Sequence, residues 1–223
     1  GSGYKGQIHS CVAHMRRRVQ LSRKVVRDLK KISDLSSKNR WEYAGKFDVK
    51  FENNTFSFSE PTIVTSRDRH TVTVEILEKV WPSPLTYHTH PSVTRPVSNV
   101  GEVFLTLPSN QDFNAFILGY PEMQANVICD AHGYYLIDIL GSIDKYKLPL
   151  PEAVHREMKE FRKRPFLREH VFSEDRLEYY QATLKDWKHL INYELNYRLT
   201  KLFGICIRYY GYNESPPTII VDV

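Results

Sequence analysis

Two histidines one residue apart, His88 and His90, stand immediately before Pro91 in the run Tyr-His-Thr-His-Pro. On a β-strand, residues i and i+2 share a face, so both imidazoles can reach one cation. With 9 His and 12 Pro among 223 residues, His-x-His-Pro is expected only about 0.02 times by chance. The pair also fits a plainer role, as exposed or hydrogen-bonded histidines at a strand end. Downstream, Pro108-Ser109-x-x-Asp112 has the chemistry of a helix start, with serine at the cap and an acid at the third helical position. Such a pair can be a capping box. Alternatively, the carboxylate completes a His₂Asp set that leaves a fourth position for water. The Ser109 hydroxyl would then lie close enough to donate to an oxyanion. Upstream, Glu42 and Gly45 form Glu-x-x-Gly between a helical and a strand pattern. A carboxylate there can face a cation-bound water, or simply lie in solvent at a helix end.

These residues need elements to hold them. Val19, Val25, Val26, Leu29, Ile32 and Leu35 recur at helical spacing and predict a helix over 19–37. The alternating stretch 45–64 predicts a hairpin turning near Glu52-Asn53-Asn54. Residues 70–80 alternate again and predict a strand, and 85–90 a further strand running into Pro91. A helix is expected from Ser109 to about Leu118, then two strands joined at Ala131-His132-Gly133. Beyond Pro149 the pattern is helical: 151–164 first, then a long helix from near Ser173. Its stripe runs Leu177, Tyr180, Leu184, Trp187, Ile191, Leu195, Leu199 and Leu202, and Gly204 is placed to stop it. The segments 204–210 and 218–223 predict closing strands. No internal repeat or low-complexity tract interrupts this order, which is that of an α+β (mixed α/β) protein.

Composition narrows the function classes. The three cysteines, Cys11, Cys129 and Cys206, are odd in number and widely spaced. This argues against a disulfide framework or a cysteine zinc site and predicts an intracellular protein, cytoplasmic or nuclear. No run approaches the ~20 apolar residues of a membrane span, so no membrane contact is expected. No secretory signal is visible, and Gly1-Ser2-Gly3 resembles an expression scar. The first 45 residues hold 11 Lys and Arg against 3 Asp and Glu, whereas the remainder holds 20 against 23. A basic block including Arg16, Arg17, Arg18, Arg23, Lys24, Arg27, Lys30 and Lys31 can track a polyanion such as nucleic acid, or be a solvated helix face. No recognition-helix or base-stacking motif accompanies it.

Taken together and in this order, Glu42-x-x-Gly45, His88-Thr89-His90-Pro91 and Pro108-Ser109-x-x-Asp112 resemble the JAMM (JAB/MPN+) zinc isopeptidases. The resemblance covers roughly residues 15–145. It implies an MPN/JAB-like, cytidine-deaminase-like sheet flanked by helices; 146–223, which the resemblance does not reach, are expected from their own pattern to form a helical C-terminal extension packing on or extending that domain. It also implies one Zn²⁺ per chain bound by His88, His90 and Asp112, with Glu42 as general base and then acid and Ser109 stabilising the tetrahedral intermediate. The substrate expected by resemblance is ubiquitin or a ubiquitin-like modifier joined to lysine. One departure is the length of 92–108, greater than the family's usual spacing. A nearer serine, Ser98, has Gly101 at the ligand position, and glycine offers no side chain, so Ser109 and Asp112 are the expected pair. The loop 92–107 would then overhang the site. The alternative function is a catalytically inactive MPN-type scaffold, with the C-terminal helix as a protein-partner surface and nucleic-acid contact through the basic segment.

Overall fold

The computed structural model describes residues 16–80, 83–93, 97, 99, 101–140, 148–164, 169–172 and 177–222. These build an α+β protein around a six-stranded sheet. The sheet contains β2 (Tyr43–Phe47), β5 (Val64–Thr65), β6 (Leu85–Thr89), β8 (Ala125–Cys129), β9 (Gly133–Ile139) and β12 (Ile205–Gly211). Its order is β12-β9-β8-β6-β2-β5, and only the β6–β8 pair is parallel. A parallel neighbour requires a crossover. Here the crossover carries β7 (Glu102–Leu105) and helix α3 (Asn110–Gly119), which brings α3 onto the sheet face that bears His88.

Both sheet faces are covered. On one lies α1 (Arg23–Asn39), whose Val25, Val26, Leu29 and Ile32 pack with Phe47, Tyr87, Val127 and Leu136. Strands β1 (Arg16–Gln20) and β13 (Thr218–Asp222) pair antiparallel and add Val19, Ile219 and Val221 to that core. The other face packs on α3, on α4 (Pro151–Arg162), and on a helical run at 184–203. That run consists of α5 (Leu184–His189), a π-helical stretch (Leu190–Leu195) and α6 (Asn196–Phe203). Phe113, Phe116, Met158, Trp187, Ile191 and Leu195 fill this second core. Asn53 and Asn54 turn between β3 (Val49–Glu52) and β4 (Thr55–Phe58) with φ of 50° and 61°, the left-handed region that Asn tolerates better than most residues.

Four expectations are corrected. Val19 belongs to a strand, not to the first helix: it pairs with Ile219, and Ser22 caps α1 by accepting from Val25 N at 3.3 Å. Residues 70–80 form no strand but a single turn, α2 (Val74–Leu77); β5 already occupies the edge of β2, and Val74 is exposed. The stretch 92–107 is not all loop, because 102–105 is strand β7. The long helix starts only at Leu184, capped by Thr183, because 177–183 is strand β11 (Leu177–Thr183). β11 pairs with β7 and with β10 (Glu169–Phe172). Its Leu-Glu-Tyr-Tyr-Gln-Ala-Thr sequence suits a pleated surface, and a partner strand distant in sequence overrides a helix-compatible stripe. Ser173, the expected cap, and Ser98 lie outside the described residues. The region after 146 is therefore not purely helical; β12 completes the central sheet beside β9.

Candidate metal centre

Strand β6 presents His88 and His90 on one face, and Thr89 points the other way. Thr89 Oγ1 accepts from Tyr43 N at 3.0 Å and donates to Ser36 Oγ at 2.6 Å, which ties the sheet to α1. His90 lies just past the strand end, yet its N–H donates to Cys129 O at 2.8 Å, so the ladder and the alternation continue through it. Pro91 has no N–H to extend the ladder further.

Asp112 reaches the same place from α3. Ser109 caps that helix: Ser109 Oγ accepts from Asp112 N at 3.2 Å, and Ser109 N donates to Asp112 Oδ2 at 2.7 Å. The capping-box and ligand readings are thus one arrangement. The cap fixes the carboxylate, and the fixed carboxylate faces the imidazoles. His88 Nε2 lies 2.8 Å from Asp112 Oδ1, and His90 Nε2 lies 3.4 Å from Oδ2. The three side chains each offer one ligand atom, and these atoms lie within 4.8 Å of one another.

The chemistry of this set suits a cation. His88 Nε2 is buried and has no hydrogen-bond partner, despite its closeness to Oδ1. Orphaned buried polar atoms are uncommon, and two imidazoles with one carboxylate are a normal donor set for a divalent transition metal. Burial would raise the Asp112 pKa, but the two imidazoles outweigh it and hold the carboxyl well below the usual range. It is a ready anionic ligand at neutral pH.

Glu42 arrives through strand register. α1 ends at Arg40 in the left-handed conformation, and Glu42 N then donates to Asp68 O at 2.7 Å. Ala44 pairs with His88; continued by two residues, that antiparallel register sets Glu42 against His90 on the ligand face. Burial pushes the Glu42 carboxyl up to about 8; nearby His90 lowers it, while Asp112 and Asp68 raise it. Gly45 is required for a different reason. A Cβ there would stand 1.8 Å from Thr62 O and 2.5 Å from the Tyr87 hydroxyl. That hydroxyl donates to Thr62 O at 2.7 Å and closes the strand against 62–65.

All five sequence-predicted residues therefore converge. Glu42, His90, Ser109 and Asp112 line one open cleft of about 560 Å³, and His88 sits behind it beside Glu42 and Asp112. The sequence did not point to the cleft's other wall. Thr106 and Leu107 follow β7, Glu178 and Tyr179 belong to β11, and Arg162 ends α4. Arg162 Nη2 donates to Pro108 O at 3.1 Å, steadying the residue before the cap. Only the strand-forming composition of 177–183 could have signalled this wall. No protein-family model matches the chain, and no curated protein matches it.

Proposed function

We propose that the protein is a zinc-dependent isopeptidase of the JAMM (MPN+) kind, acting on ubiquitin or a ubiquitin-like modifier joined to lysine. The observation that carries this reading is the convergence of Glu42, just ahead of β2, with His88, His90 and Asp112. His88, His90 and Asp112 would hold the ion. When bound, a divalent cation supplies a Lewis acid and lowers the pKa of a coordinated water toward neutrality. Glu42, whose protonated form burial favours, would be shifted toward its ionised form by a cation nearby; the carboxylate then takes a proton from the attacking water and passes it to the departing lysine nitrogen. The Ser109 Oγ already accepts from Asp112 N, so its own proton is available to the developing oxyanion. The Asp112 carboxylate, held by Ser109 N, keeps its orientation throughout.

An enzyme of this kind cleaves at least one of a panel of linkage-defined ubiquitin dimers. Glu42→Gln and chelator-treated protein do not, and thiol alkylation has no effect. Full activity in Glu42→Gln would remove it as the base. Absence of cleavage by zinc-loaded protein would sink the substrate assignment.

A second reading, a non-catalytic interaction module, draws on one observation. The stripe expected at the C-terminal helix is largely internal, with Trp187, Ile191, Leu195 and Leu199 fully buried. Tyr193 and Tyr197, outside that stripe, and Leu202, its last member, are exposed, as suits a protein-binding face. Zinc binding coupled to peptide-bond cleavage separates the two readings. Among the described residues no helix is long and apolar enough to cross a membrane.

A further inference from the structure

The stretch between the two ligand motifs and the stretch after residue 177 meet at one histidine. His90 Nδ1 lies 3.0 Å from Thr106 Oγ1. Thr106 directly follows β7, which β11 holds in register through Leu105↔Tyr180 and Val103↔Ala182. The Tyr135 hydroxyl donates to Thr106 O at 2.6 Å and accepts from Trp187 Nε1 at 2.8 Å. On the same side, the Tyr179 hydroxyl donates to Pro91 O at 2.9 Å, fixing the residue after His90. Trp187, Tyr135 and Tyr179 are all fully or almost fully buried, so little competing water reaches the Trp187–Tyr135 and Tyr179–Pro91 bonds.

We propose that Thr106 is a positioning residue for the metal ligand His90, and that the β7–β11 strand pair, with Tyr135 and Trp187 behind it, forms a clamp that sets metal affinity. The inference rests on the metal-centre reading above. An imidazole has two nitrogens, and the hydrogen bond made by one decides the role of the other. With Nδ1–H donating to Thr106 Oγ1, the Nε2 lone pair is left facing the ligand cluster. Without the hydroxyl, the ring can carry its proton on either nitrogen and turn about its χ angles, so part of the population cannot bind. The extra length between Pro91 and Ser109 then has a use: it supplies the strand that delivers Thr106. The C-terminal segment contributes to the centre without providing a ligand.

The test uses the full chain, stripped of metal and titrated with Zn²⁺ against a chromophoric chelator; the Co²⁺ d–d spectrum is recorded in parallel. Thr106→Val keeps the shape and removes the hydroxyl, and it should lose about 10–100-fold in zinc affinity, the range for an outer-sphere partner. Its Co²⁺ spectrum should change. Thr106→Ser should restore both affinity and spectrum. Tyr135→Phe should fall between wild type and Thr106→Val, with thermal melting recorded for every variant. Wild-type affinity and spectrum in Thr106→Val would overturn the proposal. So would an equal loss in Thr106→Val and Thr106→Ser, which is the signature of packing alone. Wild-type protein that binds zinc no better than Asp112→Ala would instead refute the metal centre itself, so the two failures are distinguishable.

Discussion

Two buried aspartates, Asp112 and Asp130, sit at the ends of elements that border the same sheet, and they are held in opposite ways. Asp130 closes the turn from β8 to β9. Its Oδ1 accepts from His132 N, Gly133 N and the Tyr209 hydroxyl, at 2.7, 2.9 and 2.8 Å. Burial nevertheless leaves its pKa raised, since those hydrogen bonds only partly offset the loss of water. Asp112 receives one backbone donor on its side chain, from Ser109, and otherwise faces two imidazoles. Its carboxyl is held well below the usual range. A carboxylate ringed by fixed donors is finished as structure. One that faces two imidazoles in an open cleft has a donor set that can take a cation in place of their protons, and burial alone does not tell the two apart.

The sharpest way to break this comparison is metal affinity. Asp112→Ala should lose more zinc affinity than the ~10–100-fold of an outer partner, whereas Asp130→Ala should titrate like wild type. Similar losses in both would erase the distinction. Stability should rank the pair the other way in metal-free protein. Asp130→Ala strands two backbone N–H groups and a tyrosine hydroxyl and should cost about 3 kcal/mol by urea denaturation. Asp112→Ala removes one side of a cap, worth about 1 kcal/mol, together with its contacts to two imidazoles at the rim of the cleft. A smaller effect tests the raised carboxyl beside the centre. Glu42 titrates near 4.5 ordinarily and near 8 in the metal-free fold. Its contribution to stability is therefore complete below about pH 4.5 and is lost as pH rises through about 8. Metal-stripped wild type should lose stability between pH 5 and 8 relative to Glu42→Gln, and parallel pH profiles would show that Glu42 is not buried as described.

Much of the site was legible because its geometry is local. Alternation along one strand puts His88 and His90 together, and capping chemistry puts Asp112 in the first turn of α3. Glu42 needed more, since its placement depends on β2–β6 register, which only the completed sheet supplies. Thr106, Tyr135 and Tyr179 were invisible for the same reason: their relation to His90 passes through strand pairing across more than seventy residues, from Leu105 to Tyr180. The α+β class and most element positions followed from periodicity. The misreadings fell where two periods compete, as at 177–183, or where an alternating run such as 70–80 meets an edge of β2 already taken by β5.

The pairing of β7 with β11 also orders events during synthesis. A chain emerging from the ribosome has displayed Glu42, both histidines and Asp112 long before residue 177 appears. At that moment Thr106 has no partner strand and Tyr135 lacks its indole donor. Completion of the proposed centre is thereby deferred until β11 has been made, so a product truncated before residue 177 would carry all three candidate ligands without the strand that holds Thr106.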